Sequence, residues 1–324
     1  MIADMRIVWR IVWLMVLIAA CKGGETTTAP SPSTPNVVSG SASAPMGRWE
    51  TLAALAVPVA TPGPSRDLER AIQIAKTHRD AWRKLRSTLP PPPLSDYAEG
   101  GETIAALEAW AAANGGLPAI ESPMEFGPLA LNARSVAQLA IETSTPERDT
   151  AKLGVQLGAA FVQQARNLIE LQIGLSTLMD AKRKLKQPID LDVDFVRVLA
   201  AEALFARRSM TYFQTPQGNQ ELDESISKLD PNTKEMLEGV TGANITELAP
   251  NKARDAALEA FWLAALEGAR RGEAVSVTIA RLRKTADSAA YADTSVQQIV
   301  RVIPDVVERM KRQLDELASE PSAP

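Results

Sequence analysis

Apolar residues recur every three or four positions along most of the chain from Ser65 onward, with charged and small polar residues between them. In residues 65–87 this repeat places five side chains on one side: Leu68, Ile72, Ala75, Trp82 and Leu85. The spacing matches the turn of an α-helix, and the strict alternation typical of a half-buried strand is absent. The pattern therefore predicts an all-α fold, arranged as an elongated antiparallel helical bundle.

The most regular stretch covers residues 146–187. Its heptad positions from Leu157 to Leu185 are mostly apolar, and further apolar residues flank them. Ser144 and Glu147 have the spacing of a capping box, and Pro188 ends the pattern. We therefore predict one central helix of about 40 residues, roughly 60 Å long, with neighbours on two sides. The pair Gly154 and Gly158 either admits a close helix or is incidental.

Shorter helices are predicted before and after this segment. Asn114-Gly115-Gly116 ends one of them, Asp190 or Asp192 caps another, a hairpin turns at Gly272, and Pro304 kinks the last helix. The apolar stripe of that last helix is Val296, Ile299, Ile303, Val307, Met310, Leu314 and Leu317. Residues 214–250 are the least periodic part, for which we expect short helices and loops. Residues 261–282 loosely resemble one tetratricopeptide helix pair, which leaves a repeat solenoid as a minor alternative.

The first twenty residues have a different character. Arg6 and Arg10 make the start of the chain basic, and no charged residue occurs from Ile11 to Ala20. A basic start followed by a short apolar run is typical of a secretory signal peptide. The run is shorter than the roughly 20 residues that a transmembrane helix needs. We therefore predict a signal peptide over residues 1–20.

The run ends in Ile18-Ala19-Ala20-Cys21, which resembles the lipobox of bacterial lipoproteins. The resemblance implies cleavage between Ala20 and Cys21, a diacylglyceryl thioether on the Cys21 thiol, and acylation of its new amino group. It also implies a protein anchored in the bacterial cell envelope. Lys22 is not the aspartate that resembles an inner-membrane retention signal in enteric lipoproteins, which favours the outer membrane, facing the periplasm, if the organism has one. The alternative, a buried free thiol, fits the position of Cys21 less well.

The composition after Cys21 predicts a tether over residues 21–64. Lys22 to Met46 consists mainly of Ser, Thr, Pro, Ala and Gly, too few large apolar side chains to support a fold. Residues 48–64 are more apolar, and whether they dock on the body with Trp49 as an anchor is left open. The helical domain is placed at residues 65–320, with a possible subdivision near residue 144.

The charge of the chain argues against nucleic acid as a partner. The sequence has 35 Lys and Arg against 39 Asp and Glu, a net charge of −4, whereas a nucleic-acid-binding domain is usually basic. The basic residues cluster in a few places: Lys182 to Lys186, Arg207 and Arg208, Arg270 and Arg271, and Arg281, Arg283 and Lys284. We interpret these clusters as solvated helix ends, with a headgroup-facing patch as the alternative.

No catalytic, cofactor-binding or metal-binding set is predicted. The chain has one histidine, His78, and its neighbours one helical turn away are Ile, Ala and Trp, so we expect a surface or helix-packing role. Asp190, Asp192 and Asp194 resemble the start of a calcium loop, but its glycine and closing glutamate are missing. Helix capping explains these aspartates better.

The sequence thus favours a lipid-anchored envelope protein that binds or supports another envelope protein or the cell wall without enzymatic activity. Its membrane contact is the lipid on Cys21, and the partner is unknown. One alternative is a hydrolase of envelope glycans, with two carboxylates about 5–9 Å apart. The other is a helical carrier of a small ligand, with a cavity lined by Phe161, Leu168, Phe205 or Trp262.

Overall fold

The structure is a computed structural model that describes residues 47–58, 61–88, 92–120, 122–227, 252–288 and 294–320. Within these ranges the chain is all-helical, with no strand, which confirms the predicted fold class. The helices are α1 Arg48–Ala56, α2 Arg66–Arg86, α3 Gly100–Ala112, α4 Pro123–Glu142, α5 Ala151–Gln163, α6 Leu168–Leu185, α7 Phe195–Phe213, α8 Pro216–Ser227, α9 Lys252–Ala265, α10 Val275–Ser288 and α11 Thr294–Ala318. A short 3-10 turn, Leu94–Asp96, precedes α3.

The prediction of a single central helix of about 40 residues is wrong. The segment forms a hairpin of α5 and α6, which are joined by a turn at residues 164–167. Asn167 has an extended backbone, and its side-chain oxygen accepts hydrogen bonds from the backbone N–H groups of Ile169 at 3.1 Å and Glu170 at 3.0 Å. This is an N-cap, which begins a new helix. The capping box expected at Ser144 also does not form, since residues 144–150 are a loop and α5 begins at Ala151.

Close packing of the two helices explains the glycines in this hairpin. A Cβ atom on Gly174 would lie 2.7 Å from the carbonyl oxygen of Gly158, and one on Gly158 would lie 2.9 Å from Cγ of Leu178. A Cβ atom on Gly154 would lie 2.5 Å from Cγ1 of Ile141 in α4. The helix backbones can approach this closely only because these positions carry no side chain. Of the two interpretations of Gly154 and Gly158, close helix approach is the correct one.

The buried apolar side chains form two clusters that meet on the α5–α6 hairpin. The first contains side chains of α2, α3 and α4 together with Phe161 and Ile173 of the hairpin. The second contains side chains of α7, α9, α10 and α11 together with Val162 and Leu175. The expectation that this segment contacts neighbours on two sides is therefore confirmed. The division between the two halves runs along the hairpin instead of near residue 144.

The segment before residue 65 contributes a helix to the folded domain. Leu52 of α1 is buried in the second core, and α1 lies against α7. The guanidinium of Arg207 lies 4.5 Å from the ring centroid of Trp49. Arg271 donates to the carbonyl oxygens of Leu55 at 3.1 Å and Val57 at 2.6 Å, at the end of α1. The boundary predicted at residue 64 is therefore wrong for residues 48–56, and docking with Trp49 in contact is observed.

Other predicted features agree with the structure. The stripe of α2 is buried at Leu68, Ile72, Ala75 and Trp82, and α9 and α10 are connected through Gly272. In α11 the stripe residues Val296, Ile303, Val307, Met310 and Leu317 are buried. Asp194, and neither Asp190 nor Asp192, caps α7, because its Oδ1 accepts a hydrogen bond from the Arg197 N–H at 3.0 Å. Whether the bundle is elongated stays a prediction.

The close approach of α5 and α6 can be tested with Gly174→Ala. The added methyl group would lie 2.7 Å from both the Gly158 carbonyl oxygen and Cγ2 of Val162, so the helices must separate. Overpacking of this kind costs about 1–3 kcal/mol, and we expect the free energy of unfolding in urea to fall by that amount.

Gly101→Ala is the matched control. Gly101 lies in the first turn of α3, is exposed, and has no atom from other parts of the protein within 4 Å of the position that a Cβ would take. Alanine there should keep or raise the free energy of unfolding, by up to roughly 1 kcal/mol, because it lowers the entropy lost on folding. Equal effects of the two substitutions would contradict the close packing.

Candidate functional site

A group of polar residues lies at the ends of two helices in the first half of the domain. We define the Tyr97 site as Arg86, Tyr97, Gln138 and Glu142. Arg86 is the last residue of α2, Glu142 is the last residue of α4, and Gln138 lies one turn before it. Tyr97 follows the 3-10 turn that precedes α3. The site therefore combines residues from three separate elements.

The position of Tyr97 is fixed by its surroundings. Its ring packs edge-on against buried Trp82 of α2, with ring centroids 6.2 Å apart and planes at 81°. The Trp82 indole N–H donates to the Ala98 carbonyl oxygen at 3.2 Å, which attaches α2 to the same turn. A Cβ on Gly100 would lie 2.9 Å from that of Tyr97, so glycine is needed where α3 begins. Tyr97 is consequently held in place and is only 2% exposed.

Arg86 connects the polar side chains of the site. One terminal N–H group donates to Oε1 of Gln138 at 2.6 Å, and Nε lies 3.8 Å from Oε2 of Glu142. Burial lowers the pKa of Arg86, and the nearby charge of Glu142 opposes this effect. Burial raises the pKa of Glu142, which Arg86 in turn opposes. Each charge therefore favours the charged form of the other.

Tyr97 is part of the same electrostatic group. Its pKa is raised by burial and by the negative charge of Glu142, and Arg86 acts in the opposite direction. Perturbed pKa values of several neighbouring groups are a feature of functional sites, although structural ion pairs also produce them. Nε of Arg86, the Tyr97 hydroxyl and Oε2 of Glu142 are also buried without a hydrogen-bond partner in the protein, which distinguishes the Tyr97 site from an ordinary surface ion pair.

A second carboxylate lies next to the site. Asp180 of α6 contacts Arg183 at 3.1 Å and Arg134 at 3.8 Å, and its charge contributes to the raised pKa of Glu142. The charge of Asp180 thus disfavours ionisation of Glu142, which is the only link between these two acids that bears on the hydrolase alternative. Their basic neighbours also fit a structural network, and the hydrolase stays a prediction.

A different polar group is enclosed at the turn between α5 and α6. Arg197 of α7 donates to the carbonyl oxygens of Ala165 at 2.9 Å and Val162 at 3.2 Å, near the end of α5. Glu202, also on α7, accepts from the Leu168 N–H at 2.8 Å, at the start of α6. Burial raises the pKa of Glu202 to about 8. These contacts satisfy backbone groups that the helix ends leave free, so we assign them a structural role.

The histidine has the packing role expected from the sequence. His78 stacks against Trp82, with ring centroids 6.4 Å apart, and its Nε2 lies 3.2 Å from Oε1 of Glu99. It therefore supports the turn that carries Tyr97 from the outer side of α2.

The basic clusters make more contacts within the protein than we expected. Lys182 is buried and donates to the Ser319 carbonyl oxygen at 2.7 Å and to that of Glu316, at the end of α11. Arg271 holds the end of α1, as described above, and Arg283 pairs with Glu308 at 2.6 Å. The interpretation as solvated helix ends is wrong for Lys182 and incomplete for Arg271 and Arg283.

The four residues proposed to line a ligand cavity are buried core residues. Phe161 and Phe205 belong to the first cluster, whereas Leu168 and Trp262 belong to the second. They therefore do not line one common space. Ala20 and Cys21, the predicted cleavage and lipid-attachment residues, lie outside the described residues.

The structural role of Glu202 predicts a pH dependence of stability. The folded protein keeps a proton on Glu202 up to about pH 8, whereas the unfolded chain releases it near the ordinary value of 4.5. The folded state therefore binds more protons in this window, and the free energy of unfolding falls as the pH rises, by up to about 1.4 kcal/mol per pH unit. Glu202→Gln should remove this part of the slope, because the amide oxygen still accepts from Leu168.

The measurement is urea unfolding of the wild type and the variant at several values between pH 5 and pH 8. The variant should be the more stable protein at pH 8 and should lose this advantage toward pH 5. Burial also raises the pKa of Asp255, to about 6. Asp255 makes the same contribution to the pH dependence of unfolding in the wild type and in the variant, so it cancels when the variant's free energy of unfolding is subtracted from that of the wild type. Glu320→Gln, at an exposed residue, should give curves parallel to the wild type. Parallel curves for Glu202→Gln would contradict the assignment.

Comparisons with known proteins add no assignment to this geometry. No protein-family model, curated protein or solved structure matches the chain. In the ranges that the structure describes, no helix has both the length and the apolar character needed to cross a bilayer. The same ranges contain no group of three or more His, Cys, Asp or Glu residues placed to hold a metal ion. Arguments about function therefore depend on the residues of the chain itself.

Proposed function

We propose that the protein is a lipid-anchored component of the bacterial cell envelope, in which a helical domain binds or supports another envelope component. One observation carries the proposal: a basic start and an apolar run end in Ile18-Ala19-Ala20-Cys21. The Cys21 thiol would take the diacylglyceryl group and its freed amine a further acyl chain. More than one chain is needed, because a single acyl chain gives only marginal, reversible attachment.

The position of the first helix supports this arrangement. Residues 22–46 have the composition of a tether, and 25 residues of flexible chain span roughly 28 Å on average. The helix α1 begins directly afterwards, at Arg48, and is fixed to α7 through Leu52 and to the connection between α9 and α10 through Arg271. The anchor would therefore be attached to the core of the domain, which could reach partners away from the membrane surface.

The proposed role is binding or scaffolding, with another envelope protein or the cell wall as the partner. If the organism has an outer membrane, the proposed location is the outer membrane, with the domain in the periplasm, because Lys22 does not resemble the retention signal.

Lipid attachment can be tested by metabolic labelling with an alkyne-bearing fatty acid. The wild-type protein should take up the label and fractionate with membranes. Cys21→Ser should lose the label, because the serine hydroxyl is not the thiol that the lipid transfer requires. Lys22→Ala, at the next residue, is the matched control and should keep the label. Mass analysis should find the mature wild-type protein beginning at an acylated Cys21.

Two results would contradict the anchor: an intact Met1 in protein purified from cells, or unchanged labelling of Cys21→Ser. The binding role has its own test, in which intact cells are treated with a crosslinker and the wild type is compared with Cys21→Ser. A partner that is crosslinked reproducibly to the wild type, and less to the unanchored variant, is the expected result. Absence of any reproducible crosslinked species would count against a scaffold.

A further inference from the structure

Side chains of α2, α4 and α6 form one continuous surface on the first half of the domain. The helix α4 contacts both of the others. Arg86 of α2 donates to Oε1 of Gln138 at 2.6 Å, and Arg134 lies 3.8 Å from Asp180 of α6, so the solvent-facing side of α4 is bordered by both helices. Within residues 130–142 of α4, the positions that are not buried follow this one side at helical spacing: Leu131, Arg134, Gln138 and Glu142.

Basic residues outnumber acidic ones on this surface. Three acids belong to it, Asp80, Glu142 and Asp180, whereas the whole chain has a net charge of −4. The four basic residues of α2 are spaced three or four positions apart, which places them on one side of that helix. All the basic residues of the surface except Arg86 and Arg134 are exposed. We define the basic face by its eight basic residues: Lys76, Arg79, Arg83 and Arg86 of α2, Arg134 of α4, and Arg183, Lys184 and Lys186 at the end of α6.

The acids neutralise this charge only in part. Asp80 lies 3.8 Å from both Arg79 and Arg83, and these side chains are 45% to 81% exposed. Ion pairs that are this long and this exposed contribute little. Lys76 and Lys186 form no ion pair with any residue that the structure describes. The basic face therefore keeps positive charge that is available to an anionic partner.

Lys186 provides an independent sign of function. It follows the last residue of α6 with φ 54° and ψ 38°, in the left-handed region, where glycine is preferred because it has no Cβ. The negative end of the helix dipole favours a basic residue here, but Arg183 and Lys184 already lie in the last turn. Strained positions of this kind are often functional, and the exposed charge is the feature that glycine would lack.

The chemistry of the basic face fits phosphate groups. Guanidinium groups bind phosphate through paired N–H donors, and exposed ammonium groups add charge. We propose that the basic face docks on the anionic phospholipid headgroups of the membrane that holds the anchor. The inference rests on the proposed function, because a lipid on Cys21 and a tether that spans roughly 28 Å on average would keep the domain close to these headgroups.

Docking of the full protein, purified from cells and reconstituted into vesicles, tests this inference. Ser87→Cys, at an exposed residue next to Arg86, carries a fluorescent donor, and a lipid headgroup carries the acceptor. The vesicles contain phosphatidylcholine alone or with one third phosphatidylglycerol. Energy transfer should rise roughly twofold with phosphatidylglycerol, because basic residues are attracted to an anionic surface. In 1 M NaCl, where the Debye length is about 3 Å, the rise should disappear.

Two double variants with the same change in charge separate the basic face from net charge. Arg79→Gln with Arg83→Gln should lose most of the rise in energy transfer. Arg301→Gln with Arg312→Gln, at exposed positions of α11, is the matched control and should keep it. Lys186→Gly should unfold at a higher urea concentration and still show a smaller rise, a combination that a purely structural lysine would not give. Thermal unfolding verifies that each variant is folded.

Three results would overturn the inference: no rise with phosphatidylglycerol, a rise that persists in 1 M NaCl, or equal rises in the two double variants. Retention of the protein on vesicles of phosphatidylcholine alone measures the anchor and does not require the basic face. Failure of this inference is therefore distinguishable from failure of the proposed lipid attachment.

Discussion

The contact between Gly158 and Gly174 is the constraint on which the rest of the structure depends. It lets α5 and α6 lie backbone to backbone, with the Gly174 Cβ position only 2.7 Å from the Gly158 carbonyl oxygen. Side chains on the two outer faces of the hairpin then complete two separate cores. A bulkier residue at either position would move one helix away from the other and therefore displace both cores. The arrangement of the remaining helices follows from this central pair.

The hairpin turn is closed by charged residues that the core would otherwise exclude. Arg197 and Glu202 approach the turn from the same helix, α7, one bonding carbonyl groups near the end of α5 and the other the first N–H of α6. A buried carboxyl group with a pKa near 8 is an unfavourable choice for stability alone, because its charged form is not tolerated in the interior. It is compatible with the fold because the neutral acid still accepts the Leu168 hydrogen bond. The hydrogen bonds from Arg197 and to Glu202 thus fix the turn, while the raised pKa of Glu202 makes the stability of the protein depend on pH.

Much of the fold was predictable, and the errors have identifiable causes. Periodicity gave the class, the buried face of α2 and the stripe of α11, because an apolar stripe follows directly from burial on one side. It did not reveal the break at residues 164–167, because the apolar pattern continues across the turn when both helices face the same cores. A local signal was present: Asn167 and Glu170 have capping spacing, as Ser144 and Glu147 do. Only the first of these pairs begins a helix, and spacing alone does not tell them apart.

The candidate site was not predictable from the sequence. Arg86, Tyr97 and Glu142 are separated by up to 56 positions and form no motif, and each is an ordinary residue for a helix end or a turn. Their common feature is that each has one buried side-chain atom without a hydrogen-bond partner in the protein, which appears only when three elements are packed together. His78 and the three aspartates, which attracted attention in the sequence, have packing and capping roles or lie at the surface.

The shared hairpin also affects how the two halves unfold. Phe161 and Val162 are adjacent in the chain, yet their side chains belong to different cores. Unfolding of either half would expose one face of α5 and α6 to water. These helices would then lose part of the tertiary packing that keeps a short helix formed in water. Each core needs α5 and α6 for part of its packing, so neither core is complete without the hairpin. We therefore expect the two cores to unfold together as one cooperative unit, in which a substitution that destabilises one core also destabilises the other.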